Sequence, residues 1–316
     1  MMKVISIVSL EKTVEIELEK AFEDYGMNFK GIDHIKENDL LDAEVILGWD
    51  HRWEKLILTN PFLKWVQLWL AGVESIPLKQ LSENNVVVTN SSGVSAKNMS
   101  EQIIGYMIMF ERNLHLTMRN QIKHSWQEDM KFGELSDKTI GIIGVGQIGG
   151  RLAQLAKAFG MHTLGIRHSK TPTPYIDDMY DLSQLSYVLE QSDYIVNTLP
   201  LTQLTYQLFN TEQFEKVKTG AFYINVGRGK TTSTQALLNA LKTGKLQGAA
   251  LDVFEEEPLP AEHPLWTLEN VIITPHIAGD TDRYNERLVD LVLYNLKAYK
   301  QDTHSMKNVI QASRQY

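Results

Sequence analysis

The run Gly141-Ile142-Ile143-Gly144-Val145-Gly146-Gln147-Ile148-Gly149 sets a G-x-G-x-x-G turn between an apolar strand pattern and a helical one, an order that few folds accept. Residues 139–143 read as a buried strand. Residues 147–159 carry Ile148, Leu152, Leu155, Ala156 and Phe159 at helical spacing before Gly160 stops the pattern. Each glycine has a steric reason. Gly144 permits the tight turn, Gly146 lets the backbone approach a diphosphate with no Cβ in the way, and Gly149 lets helix and strand pack closely. The helix opens with Gln147 and Ile148, so its first N–H groups point at the phosphates. This is the expected site of a dinucleotide.

Composition narrows the remaining chemistry. At 316 residues, 43% hydrophobic and 22% charged, the chain has the make-up of a globular protein with room for two domains. A formal charge of −8 argues against a nucleic-acid or anionic-membrane surface and leaves small anions as ligands. The chain has no cysteine, which removes disulfides, thiolate nucleophiles and Cys-based metal sites together, and no metal site is expected. No apolar run approaches the roughly 18 residues that span a bilayer. The short apolar run 4–10 reads as a first strand rather than a signal peptide, and a cytoplasmic location is the expectation.

Along the chain, strand patterns at 4–8, 45–49, 65–70 and 86–89 are separated by helical stretches such as 14–25, a βα series. A long apolar helix is expected over 96–115, with Met99, Ile103, Tyr106, Met107, Phe110 and Leu114 on one face. The glycine turn opens a second series with strands at 139–143, 162–166, 194–199, 221–226, 249–253 and 271–274, the count of a complete dinucleotide-binding sheet. An amphipathic helix over 283–300 follows it and is inferred to pack back on the first domain. The expectation is therefore an α/β protein of two Rossmann-like domains with parallel sheets. The discontinuous one spans 1–96 and 284–316, and the dinucleotide-binding one spans 97–283.

Three segments at predicted strand ends, where open α/β sheets place their ligands, carry reactive side chains. Arg228, between Gly227 and Gly229, offers a fixed cation able to pair bidentately with a carboxylate. His276 follows Pro275, which biases Thr274 toward extended backbone and holds the imidazole at a strand end, where it can serve as acid or base. Glu257, before Pro258, can orient that histidine and favour its charged form, although Glu255, Glu256 and Glu257 also read as a solvated acidic loop.

Taken in order, Ala71-Gly72-Val73-Glu74, Asn90-Ser91-Ser92-Gly93-Val94, the glycine turn, Leu199-Pro200-Leu201-Thr202 and the Arg228, Glu257 and His276 segments resemble the D-isomer-specific 2-hydroxyacid dehydrogenase family over nearly the whole chain. The resemblance implies catalytic places for Arg228, Glu257 and His276. It also implies a backbone site for the substrate carboxylate at Gly72 and Val73, with Pro200 and Gly227 along the nicotinamide. Members of the family are commonly homodimers through the nucleotide domain. The implied function is hydride transfer between a nicotinamide cofactor and a small 2-oxo or 2-hydroxy acid. A nucleotide-sensing protein on the same fold and a phosphoglycerate dehydrogenase-like enzyme stay open beside it.

Departures from the family pattern mark two places. Ser100-Glu101-Gln102 stands where the family often has Ala-Glu-His, and Thr231-Thr232-Ser233 stands where it often has a Val-Asp pair. The third departure concerns the cofactor. About 20 residues past the glycines, where an NAD-selecting site has an acidic residue, this chain has Arg167-His168-Ser169-Lys170, with no acid until Asp177. Two cations and a hydroxyl suit a 2′-phosphate, so NADPH is the expected cofactor, with NAD as the lesser one. Arginine here also resembles the NADPH-using glyoxylate/hydroxypyruvate reductases of the family. Trp49 and Trp69 are given no role.

Overall fold

The computed structural model describes residues 2–311. It divides into two compact units, with the boundaries after Val94 and after Asp280, two to three residues from the positions suggested by the sequence.

The first unit holds a parallel sheet of β1 (Met2–Ser6), β2 (Met27–Lys30), β3 (Val45–Leu47), β4 (Trp65–Gln67) and β5 (Val87–Thr89), in the order β2-β1-β3-β4-β5. The Lys12–Asp24 helix buries Val14, Leu18 and Phe22, one residue per turn at four-residue spacing. The Tyr284–Gln301 helix sets Leu288, Val289, Val292 and Leu296 into this unit, and Val289, Val292 and Leu296 share a core with Val4, Leu18, Phe22 and Trp65. The chain thus returns to its first domain, as its terminal amphipathic pattern predicts. β2 was not anticipated. It is four residues long with only Met27 and Phe29 buried, and it follows a turn at Gly26, whose φ is +72°.

The second unit holds seven parallel strands where six were expected. They are β6 (Thr139–Ile143), β7 (His162–Ile166), β8 (Asp178–Tyr180), β9 (Tyr194–Asn197), β10 (Ala221–Asn225), β11 (Leu246–Leu251) and β12 (Val271–Ile273), in the order β12-β11-β10-β9-β6-β7-β8. β8 escapes a hydrophobicity reading because it is a three-residue edge strand with no buried side chain. The order reverses between β6 and β9, so the loops leaving these two strands diverge and leave a crevice at their carboxyl ends. The Gln147–Ala158 helix packs Leu152, Ala153 and Ala156 against Ile140, Ile142 and Ile103 in a common core.

The long helix expected over 96–115 is two helices, Ala96–Glu111 and Leu114–Ile122. Asn113 separates them in the left-handed region at φ +49°, and its amide donates to the Lys131 carbonyl at 2.6 Å. Asparagine tolerates that conformation where a branched residue would not. The apolar count hides the break because Leu114 resumes it, yet Leu114 is exposed. Among the described residues no helix is long and apolar enough to cross a membrane.

Candidate active site

The glycine turn follows β6. Gly144 takes a φ of +108°, and a Cβ there would lie 2.8 Å from Thr198 Oγ1. A Cβ on Gly149 would lie 2.6 Å from the Gly144 carbonyl oxygen, so the helix touches the turn that precedes it. Gly146 differs, since its Cβ would meet nothing within 4 Å. That glycine faces open space at the N-cap of the helix, and no side chain caps the helix there. Backbone donors without a side-chain cap, at the positive end of a 12-residue helix, fit a diphosphate group.

Arg167, His168, Ser169 and Lys170 are all exposed beyond β7, and the Arg167 N–H donates to the Tyr180 carbonyl of β8 at 3.1 Å. No acid precedes Asp177 in the chain, but the pairing of β8 brings a later one back to this turn. Asp177 turns away to accept from Thr163 N at 2.8 Å and to face Lys157 at 3.0 Å. Asp181, four residues later, lies 2.9 Å from Lys170 Nζ, which also donates to Gln184 Oε1 at 3.0 Å. Ser183 and Lys170 hold the Asp181 carboxyl down at about 2. Parallel pairing of β7 with β8 carries both loops to one sheet end, so one of the two cations already has an acidic partner.

Pro200 and Gly227 lie in adjoining loops beyond β9 and β10. A Cβ on Gly227 would stand 2.6 Å from the Leu199 carbonyl oxygen, and one on Gly229 would stand 1.8 Å from that of Phe254. Arg228 is therefore bracketed by two backbone contacts that only glycine allows. Its Nη1 donates to the Gly227 carbonyl at 3.0 Å. Thr205 Oγ1 donates to the Pro200 carbonyl at 2.7 Å and holds that loop.

His276 stands beyond β12 with Nδ1 2.7 Å from Glu257 Oε2. The other oxygen, Glu257 Oε1, accepts from Phe254 N at 2.8 Å, so the carboxylate is fixed on both sides. The neighbouring glutamates have separate fates. Glu255 accepts from Thr234 N at 2.6 Å and Gln207 Nε2 at 3.0 Å, and Glu256 is exposed. The reading of all three as one solvated loop does not describe them.

His276 itself is left-handed, at φ +55°. For a residue with a Cβ this costs on the order of 1–3 kcal/mol, so surrounding bonds must hold it. They come from Asp252, a residue to which the sequence reading gives no role. Its carbonyl accepts from His276 N at 2.8 Å, and its buried carboxylate accepts from Thr274 Oγ1 at 2.5 Å, Ile277 N at 3.1 Å and Ala278 N at 3.0 Å. Thr274 in turn meets Tyr106 OH at 2.6 Å, and Gln102 donates to the same phenol. The unusual glutamine of Ser100-Glu101-Gln102 thus belongs to the support of the histidine loop. The sequence signal was an acid ending an apolar strand, which a buried position must pair.

Gly72 and Val73 follow β4 in the first unit. Asn90 Nδ2 donates to the Ala71 carbonyl at 2.7 Å and fixes the bend, and neither Gly72 N nor Val73 N donates to another described residue. Trp49 and Trp69 both pack against the cores of that unit.

Residues 104–278 match the model of the D-isomer specific 2-hydroxyacid dehydrogenase, NAD binding domain. The chain is 33% identical to a glyoxylate reductase of Thermococcus litoralis over 305 residues, covering 93% of this chain and 89% of the relative. It is 32% identical to a glyoxylate reductase of Korarchaeum cryptofilum over 264 residues, covering 82% and 80%. Among solved structures it resembles the NADPH-dependent glyoxylate/hydroxypyruvate reductase of Sinorhizobium meliloti in complex with NADP and sulfate. That likeness has 27% identity, a TM-score of 0.83 and full coverage of both chains.

Proposed function

The chain belongs to the D-isomer-specific 2-hydroxyacid dehydrogenase family and is an NAD(P)-dependent oxidoreductase, and from that premise we propose that it reduces small 2-oxo acids, glyoxylate and hydroxypyruvate first, with NADPH. The observation that carries the catalytic assignment is the His276–Glu257 pair at 2.7 Å, on a loop clamped by the buried Asp252. Glu257 accepts from Nδ1 and orients the ring, which leaves Nε2 to deliver a proton to the alkoxide as it forms. Arg228 pairs with the substrate carboxylate, and Gly72 and Val73 keep the backbone anion-binding role that the family resemblance implies for them. The nicotinamide cofactor, when bound, supplies the hydride.

Residues of the second unit hold that cofactor in this reading. The turn at Gly144 and Gly146 and the helix-start N–H groups of Gln147, Ile148 and Gly149 would take the diphosphate, and Pro200 and Gly227 would lie along the nicotinamide. Arg167, His168 and Ser169 take the 2′-phosphate, while Lys170 contributes from its ion pair with Asp181. Support for NADPH comes from these cations and from the NADPH-dependent S. meliloti enzyme named above.

The same proposal includes a homodimer. Leu114, Met118 and Ile122 fall on one stripe of their helix, and all are exposed, as are Trp126 and Phe132 beyond it. Trp126 is 90% exposed and Ile122 81%. Such a run of apolar side chains on one segment calls for a covering surface, supplied here by a second copy.

The test is reduction of glyoxylate, hydroxypyruvate, pyruvate and 3-phosphohydroxypyruvate, followed by oxidation of each reduced nicotinamide. His276→Ala should lower turnover by roughly two to four powers of ten and leave cofactor affinity near normal. Tight cofactor binding without turnover of any 2-oxo acid would overturn the enzyme in favour of a sensor.

A further inference from the structure

Beneath Arg228 lies a polar network that the catalytic reading does not use. Asn197, Tyr223, Asn225, Thr231 and Thr232 are all buried, the most exposed of them at 4%. Asn197 and Asn225 end neighbouring strands and are paired in register. Each uses its side-chain carbonyl to hold the loop that follows. Asn197 Oδ1 accepts from Leu199 N at 3.1 Å, and Asn225 Oδ1 accepts from Gly227 N at 3.0 Å. The two amides then meet in the loop that follows β10. Asn197 Nδ2 donates to Thr231 Oγ1 at 2.7 Å and to Tyr223 OH at 3.0 Å. Asn225 Nδ2 reaches Thr232 Oγ1 at 3.2 Å, and Thr232 meets Tyr223 OH at 2.6 Å.

The network converges on one atom. The Arg228 carbonyl oxygen receives Thr231 Oγ1 at 2.6 Å, Thr231 N at 3.1 Å and Asn225 Nδ2 at 3.3 Å. The two threonines belong to Thr231-Thr232-Ser233, the segment that stands where the family often has a Val-Asp pair. A valine in either place would fill the same space and break the chain of donors. A buried polar cluster is costly unless every member is satisfied, and a satisfied one fixes a single geometry. Here that geometry joins the Leu199-Pro200 loop to the Arg228 turn.

We propose that Thr231 is a positioning residue for Arg228: its hydroxyl passes the Asn197 bond on to the Arg228 carbonyl and aims the guanidinium at the substrate carboxylate. This rests on the assignment of Arg228 as the carboxylate-binding residue. Loss of the hydroxyl lets the turn drift while the charge stays, so binding of the anion suffers more than the chemical step.

Thr231→Val tests it in the full-length protein, with glyoxylate as substrate and oxalate as a non-reducible carboxylate probe. The KM for glyoxylate and the Kd of oxalate should rise roughly tenfold, with kcat and the Kd of NADPH changed by less than about threefold. Thr231→Ser keeps the hydroxyl and should restore both to near wild-type values. In an Arg228→Lys background, where the fork is already lost, Thr231→Val should add little. A role in stability alone would lower the melting temperature of Thr231→Val and leave KM and oxalate affinity unmoved, and that result overturns the proposal. If Thr231→Val does not fold, Thr231→Ala removes the same hydroxyl without a methyl in its place, and an unchanged oxalate affinity there is equally decisive. Arg228→Ala separates the two levels. Unaltered oxalate binding in that variant removes the carboxylate role of Arg228, whereas a large loss beside a normal Thr231→Val removes only the positioning role.

Discussion

Exchanging Arg167 for Asp should move cofactor preference from NADPH toward NADH by about ten- to thirtyfold. Arg167 is exposed at the end of β7, so its charge acts through water. A pair of unit charges 4 Å apart in water is worth about 1 kcal/mol, and a phosphate monoester carries about −1.5 to −2. Losing that attraction and adding an equal repulsion amounts to about 3–4 kcal/mol before screening. Salt at physiological strength, with a Debye length of about 8 Å, and the freedom of an exposed side chain cut this to about 1.5–2 kcal/mol, the stated factor.

The fold adds a sharper consequence. Asp181 sits 2.9 Å from Lys170 and offsets its charge. Lys170→Ala should therefore cost NADPH use less than Arg167→Asp, while Asp181→Asn, which frees the lysine, should increase the preference for NADPH. The assay is the ratio of kcat/KM for NADPH to that for NADH at saturating glyoxylate, at low and high salt. Wild-type protein that uses NADH more efficiently, or a ratio unmoved by Arg167→Asp, refutes the reasoning.

Three further outcomes follow from particular contacts. Gly149→Ala places a Cβ 2.6 Å from the Gly144 carbonyl and should cost about 1–3 kcal/mol in urea unfolding. Gly146→Ala meets nothing within 4 Å and should leave stability within about 1 kcal/mol while weakening cofactor binding in a fluorescence titration. Burial lowers the His115 pKa below its ordinary 6.5, more than its bond to the Met109 carbonyl raises it. The folded state then binds fewer protons, so stability should decline as pH falls through 6.5 toward the lower folded value, and His115→Phe should flatten the decline seen in thermal melts. Met118→Glu, in the middle of the exposed stripe, should shift sedimentation from dimer to monomer, and a monomeric wild type would discard the homodimer.

The parts of the fold that are legible in the chain are those written in local pattern. β6 and β7 begin and end where the apolar runs predict, because each run is bounded by glycine or charge. The return of the terminal helix was legible for a similar reason, since Leu288, Leu296 and their neighbours form a stripe that had to be buried. Gly144 and Gly149 mark a steric need that the fold shows as close contacts. Short elements were not legible. β2 and β8 contribute too few apolar residues to show a period, and the helix break at Asn113 falls between two apolar residues that keep the count running.

What the sequence by itself determined is the class of sheet, the place of the glycine turn and which side chains are candidates for the chemistry. Tertiary structure alone decided their partners. Asp181 faces Lys170 because β8 pairs beside β7, and Asp252 clamps the loop of His276 because β12 pairs beside β11. Thr231 meets Asn197 across 34 positions of chain because β9 and β10 are neighbours. Periodicity records which face of an element is buried, since that depends on residues a few places apart. Which acid meets which base depends on parallel crossovers that bring distant strand ends to one edge, and no local pattern encodes that distance.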